Sequence, residues 1–184
     1  MKKIVVSNLI SLDGYYAGPQ GEIDWFNVGK DFEAYAVELI GAVDTMLFGR
    51  VTYELMAGYW PTATAATDDP RIIDAMNNTP KIVFSNSLKN VGWNNTRVIR
   101  GELGAEISRL KQQSGRDIVV YGSGSLVSAL TRLGLVDDFR IFVSPILLGK
   151  GKLLFEGIDA RTNLRLVGTQ TFESGLVVLR YQKA

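Results

Sequence analysis

The run Ile118-Val119-Val120-Tyr121-Gly122-Ser123-Gly124-Ser125-Leu126 restricts the architecture more than any other stretch of the chain. It begins as a β-branched apolar strand, and Leu126, Leu130 and Leu133 then recur at the i, i+4, i+7 spacing of a helix. The period changes across Gly122 to Ser125, so the segment reads as strand, tight turn and helix start. Small residues at such a junction let backbone N–H groups approach an anion, because the first N–H groups of a helix lack intrahelical partners and the dipole there favours negative charge. A phosphate fits that description. So does a plain turn, in which the glycines supply only conformational freedom and Ser123 or Ser125 only caps the helix.

Other segments extend the pattern. Lys3 to Leu9 is a β-branched strand, and the Gly- and Pro-containing stretch from Ser11 to Gly21 predicts a long irregular loop, either a functional lid or a surface connection. Phe32, Tyr35, Ala36, Leu39 and Ile40 have helical spacing. Val43 to Gly49 reads as a second strand, and Gly49-Arg50-Val51-Thr52-Tyr53-Glu54 as a second strand-turn-helix junction, now carrying an arginine. A mobile loop is expected from Trp60 to Pro70, then a short helix from Arg71 to Met76 and a third strand, Lys81 to Phe84, ending at Ser85-Asn86-Ser87. Arg97 to Ile99 is a short strand, and Leu103, Ile107 and Leu110 mark an amphipathic helix. Strand and helix alternate, which predicts right-handed crossovers and a mainly parallel sheet covered on both faces. In open sheets of this kind, ligands bind outside the carboxyl ends of the strands.

The tail departs from this alternation. Strands are expected at 139–143, 145–148, 153–155, 164–172 and 176–181, and Glu173-Ser174-Gly175 reads as a hairpin turn, so an antiparallel hairpin finishes the sheet. The 184 residues form one α/β domain, 1–184, with a single substantial core. Lys+Arg 20 against Asp+Glu 19, without a block of like charge, argues against nucleic acid or an anionic membrane as the main partner and favours a small molecule. No apolar run is long enough to span a bilayer, which makes the cytoplasm the default expectation. With Cys 0 and His 0 there is no thiol nucleophile and no imidazole acid or base, and no metal site is expected.

Ser11-Leu12-Asp13-Gly14-Tyr15, Phe48-Gly49-Arg50-Val51-Thr52-Tyr53-Glu54, Val120-Tyr121-Gly122-Ser123-Gly124 and Pro145-Ile146-Leu147-Leu148-Gly149-Lys150-Gly151 look like motifs, in order, of the dihydrofolate reductase superfamily. The chain most resembles the branch that includes the reductase domain of the bifunctional riboflavin-biosynthesis deaminase/reductase, over nearly its whole length. The resemblance implies a dihydrofolate reductase-like three-layer α/β/α fold and NADPH across the strand ends. It places the pyrophosphate on the Gly49-Arg50-Val51-Thr52 and Gly122-Ser123-Gly124-Ser125-Leu126 turns, the 2′-phosphate near Arg50 and Ser85-Asn86-Ser87, and Leu12, Tyr15 and Trp25 on the substrate side. An arginine fork matches a phosphate better than a ribose hydroxyl.

The expected activity is hydride transfer from NADPH to a C=N or C=O carbon of a pyrimidine, pteridine or related heterocycle, as in 5-amino-6-(5-phosphoribosylamino)uracil reductase. The alternative is a non-catalytic NADPH-binding protein of the same fold. Candidate proton donors are Asp13 first and Asp31 second, then Asp24, a tyrosine such as Tyr15, or a water that one of them orients. Asp13 could equally be an Asx-turn residue, and Asp31 could cap its helix. The tail has apolar area beside Phe142, at Leu147-Leu148 and at Leu153 to Phe155, and the resembling branch forms dimers, so a homodimer is expected.

Overall fold

The computed structural model describes residues 1–184. Its main sheet has eight strands: β1 (Ile4–Ser11), β3 (Val43–Gly49), β4 (Lys81–Phe84), β5 (Thr96–Ile99), β6 (Asp117–Val120), β7 (Asp138–Ser144), β9 (Leu164–Thr171) and β10 (Val177–Lys183). The order is β5-β4-β3-β6-β1-β7-β10-β9. Strands β5 through β7 run parallel, and β10 and β9 pair antiparallel at the end. A separate two-stranded ribbon joins β2 (Tyr15–Ala17) to β8 (Lys152–Leu153). The mixed sheet with a terminal antiparallel hairpin is the one expected.

Side-chain alternation builds the layers. Ile4, Val6, Leu47, Ile82, Ile118 and Val120 point to one face, where α4 (Leu103–Lys111) and α5 (Gly124–Arg132) cover them with Ile107, Leu110, Leu126, Val127 and Leu130. Val5, Met46, Phe48, Val83 and Val119 point to the other face, under α1 (Gly29–Gly41), α2 (Arg50–Tyr59) and α3 (Pro70–Asn78). Both faces being covered, the central strands are mostly apolar, with the polar Ser7, Asn8 and Ser11 falling from the middle of β1 onward. No helix is long and apolar enough to cross a membrane.

Three local expectations need correction. Residues 145–148 are not a strand, and 153–155 contributes only Leu153 to a ribbon; Leu12 N–H donates instead to Ile146 O at 2.8 Å, so this segment serves as a strap for the loop after β1. Phe142 offers no surface to a second copy: it is fully buried under α1, with its ring 5.2 Å from Phe32 and 5.3 Å from Tyr35. The loop from Asp13 to Gly21 is not free along its length, because β2 sits in its middle and Gly14 O accepts from Leu154 N–H.

Candidate functional site

Strands β3 and β6 are neighbours, and the helices that follow them start side by side. Gly49, the N-cap of α2, donates to Gly122 O at 2.8 Å, and a Cβ at Gly49 would overlap Ser123 Oγ. Ser123 is the N-cap of α5, yet neither helix has a side-chain cap or an acidic residue in its first turn. Two positive helix ends thus meet without a carboxylate; Gly124 N–H reaches the Tyr16 hydroxyl, and the arrangement suits a polyanion such as a diphosphate. Gly122 has φ +123°, and a Cβ there would lie 2.9 Å from Thr52 Oγ1. The seam needs glycine for close approach as well as for conformation.

A notch of about 300 Å³ opens over this seam, lined by Gly49, Arg50, Val51, Ser85, Ser87, Ser123, Ser125 and Leu126, with Phe84 at its floor. Arg50 is exposed and paired with Glu54 at 2.7 Å, an i,i+4 contact that a phosphate can displace because exposed pairs of this kind hold weakly. Ser85 Oγ accepts from Ser87 and Leu88 N–H, and Ser123 and Ser125 share a hydroxyl contact at 2.8 Å. The notch continues into a more enclosed, mostly apolar cavity of about 250 Å³; Val51, Ser123 and Ser125 belong to both. Leu9, Ile23, Phe26, Leu55, Met56 and Tyr121 form much of its wall, with Ser7, Asn8, Thr52 and Gly122 at the strand ends. Tyr16 closes it, its ring against Gly124, where a Cβ would overlap it. Burial raises the pKa of Tyr16 and of Tyr121, making both phenols poorer acids. No carboxylate lines the cavity, and Lys152 is the one charged side chain on its wall.

The expected residues divide into two sets. Gly49, Arg50, Val51, Thr52, Ser85, Ser87, Gly122, Ser123, Gly124, Ser125 and Leu126 come together across the notch, the cavity and their shared seam. Asn86 is exposed and lines neither. Asp13 does not line the cavity: its carboxylate accepts from Ser11 Oγ, Leu148 N–H and Gly149 N–H, at 2.6, 3.2 and 2.7 Å. The Ser11 hydroxyl and the two backbone donors hold its pKa below the usual carboxylate value, so it fastens the loop to the strap and is a poor proton donor. Asp31 is neither N-cap nor cavity residue; Val28 holds the N-cap position without a side-chain cap, and Asp31, in the first turn of α1, accepts from Glu173 N–H at 2.6 Å, tying the helix to the β9–β10 turn. Leu12, Tyr15, Asp24 and Trp25 also lie off the cavity wall. In two places the adjacent residue faces in instead, Tyr16 and Phe26, because strand pairing in β2 and the turn at residues 23–26 choose the side. Sequence reasoning missed Asn8, Leu55, Met56, Tyr121 and Lys152; the one signal available was the polar Ser7-Asn8 pair inside an apolar strand.

Comparison with known proteins agrees with this fold. The family described as RibD C-terminal domain matches residues 2–178. The uncharacterised protein YyaP of Bacillus subtilis (strain 168) is 33% identical over 180 residues, covering 98% of this chain and 94% of its own. Among solved structures, the diaminohydroxyphosphoribosylaminopyrimidine deaminase/5-amino-6-(5-phosphoribosylamino)uracil reductase of Thermotoga maritima superposes with a TM-score of 0.73 at 16% identity, over all of this chain and 57% of that one. Dihydrofolate reductase from Enterococcus faecalis, in complex with NADP(H) and RAB-propyl, gives a TM-score of 0.66 at 16% identity, over 98% of this chain and 96% of that one. At such identities the two structures speak for the fold.

Proposed function

We propose that this chain, which belongs to the RibD C-terminal domain family, is an NADPH-dependent reductase acting on a C=N or C=O carbon of a pyrimidine- or pteridine-type heterocycle. The observation that carries the reading is the meeting of two uncapped helix N-termini on a glycine seam that opens into an apolar cavity. Such a seam suits a diphosphate, and the cavity beside it suits a flat ring. The named activity of the Thermotoga protein and the NADP(H) bound to the Enterococcus protein support it.

Bound NADPH would supply the hydride. The chain's residues supply the rest. Backbone N–H groups at the starts of α2 and α5 hold the diphosphate, and Arg50 turns from Glu54 to the 2′-phosphate, with Ser85 and Ser87 across the notch. Phe26, Leu55, Met56 and Tyr121 exclude water from the reacting face, while Tyr16 keeps the α5 end of the cavity closed. Lys152, with no ion pair or hydrogen bond of its own, holds the proton that the receiving nitrogen or oxygen takes up, and bulk water restores it. An ammonium held in no ion pair favours a neutral or anionic acceptor over a cationic one.

The test is loss of reduced-nicotinamide absorbance with a panel of heterocyclic acceptors. Turnover is expected with at least one of them. Lys152→Met should cut it roughly a hundredfold, the usual range for a positioned acid, with unchanged NADPH affinity. Tight NADPH binding without turnover across the panel would make the chain a nucleotide-binding protein instead. We further propose a homodimer through β9, an edge strand on which Leu164, Leu166 and Val167 are 39, 50 and 36% exposed; light scattering should give the mass of two chains.

A further inference from the structure

We infer that Asn8 is the residue that reads the carboxamide of the nicotinamide ring, accepting its N–H at Oδ1. This deepens the NADPH reading and rests on it. Asn8 sits near the middle of β1, 8% exposed, in a strand whose other inward positions are mostly apolar. A buried primary amide in such a place is costly unless all its groups are paired. Half of it is paired: Nδ2 donates to Tyr121 O at 3.2 Å. That contact also fixes the orientation of the amide, because a backbone carbonyl can only accept. Oδ1 is therefore the remaining acceptor, and it is buried without a partner.

Its position identifies what it waits for. Asn8 lies on the cavity wall beside the Gly122 turn, where a Cβ at Gly122 would come within 3.5 Å of Nδ2. The same cavity is continuous, through Val51, Ser123 and Ser125, with the notch over the two helix ends. A ring joined to a diphosphate held at that seam enters the cavity on the Asn8 side. The other buried unpaired atoms of the protein belong to Asp138, Arg140, Ser144, Ser174 and Arg180, none of which lines the cavity. An unpaired acceptor on a residue of the cavity wall calls for an N–H donor, and the carboxamide NH₂ is the donor that the dinucleotide carries there. Fixing that group fixes the rotation of the ring, and so the face it turns toward the acceptor.

The shared chemistry is an amide N–H, which a lactam-type acceptor could also offer, so the test uses nucleotide alone. Calorimetry on the intact chain compares NADP⁺ with its 3-acetylpyridine analogue, which keeps the carbonyl and lacks the N–H. The wild-type protein should bind the analogue roughly tenfold or more weakly, the cost of leaving a buried acceptor unpaired. In Asn8→Leu the two nucleotides should bind alike. Equal affinity in the wild type overturns the assignment even if the variant does not fold, and so does undiminished discrimination in Asn8→Leu. If discrimination is absent while NADP⁺ still binds, the NADPH reading survives and Asn8 answers to the acceptor; if NADP⁺ does not bind, both readings fall.

Discussion

The two ends of the sheet are built from the same strands and behave as opposites. At the amino ends of the strands is a wide depression of about 1180 Å³, lined by Lys2, Asp44, Lys81, Trp93, Asn95 and Arg116 among others. Its polar groups already answer one another. Lys81 Nζ donates to Asn77 O, Thr79 O and Asn94 O at 3.0, 2.8 and 3.0 Å and lies 4.5 Å from the Trp93 ring centre. Arg116 donates to Gly41 O at the end of α1, and Lys2 pairs with Asp44. At the carboxyl ends the cleft is smaller, and the two helix ends that reach it have neither a side-chain cap nor a carboxylate in the first turn. Polarity explains the difference. Parallel crossovers bring helix C-termini to one end and N-termini to the other; Arg116 and Lys81 answer the ends of α1 and α3, and carboxylates stand at the starts of α1, α3 and α4, but none stands in the first turn of α2 or α5. Unanswered groups, rather than volume, mark the site.

Gly49→Ala tests that contrast most severely. The added methyl must push Ser123 and part the two helix starts, so each loses its aim at a common anion. Losing even two charge-assisted hydrogen bonds corresponds to about 3 kcal/mol or more, and NADPH affinity should fall a hundredfold or beyond. Unchanged affinity by calorimetry would mean that the seam is not where the diphosphate sits. Arg50→Ala is narrower. It should weaken NADPH roughly ten- to a hundredfold and NADH hardly at all, because only the former carries the 2′-phosphate a guanidinium can pair. Equal losses would leave Arg50 to its Glu54 pair.

The same contrast explains which parts of the molecule the sequence discloses. The junctions at Gly49 and Gly122 are visible because a change of period from 2 to 3.6 and a cluster of small residues are local signals. The notch rests on those junctions, and the residues expected there lie together around it, Asn86 excepted. The apolar cavity is made by distant segments. Whether Tyr15 or Tyr16 faces in depends on how β2 pairs with β8, more than 130 positions later in the chain, and a slip of one residue exchanges the two faces. Asp13 and Asp31 misled for a related reason: carboxylates in loops suggest acid chemistry, whereas the backbone N–H groups of Leu148, Gly149 and Glu173 that occupy them come from the other end of the chain. Phe142 gave a surface-like alternation because the helix that covers it, α1, is invisible from its own strand.

Lys81→Met probes the opposite end and should have the smallest effect on function. It leaves three carbonyls without their cation, two of them at the end of α3, and should lower stability by about 2 kcal/mol while nucleotide affinity stays the same. The pH dependence separates this from a simple packing loss. Burial draws the Lys81 pKa down from 10.5 to about 8. Between those values the folded chain gives up a proton that the unfolded chain keeps, so the unfolded state binds more protons and unfolding free energy rises with pH across that window. Urea melts of the wild type from pH 8 to 10.5 should therefore show a rising contribution that Lys81→Met lacks, and the gap between the two proteins should widen with pH. Parallel pH profiles would show that Lys81 keeps its proton in the fold, held by its carbonyl acceptors and the Trp93 ring. A fall in nucleotide affinity on the same substitution would instead tie the two ends of the sheet together and undo the separation between the end that satisfies itself and the end that waits for a ligand.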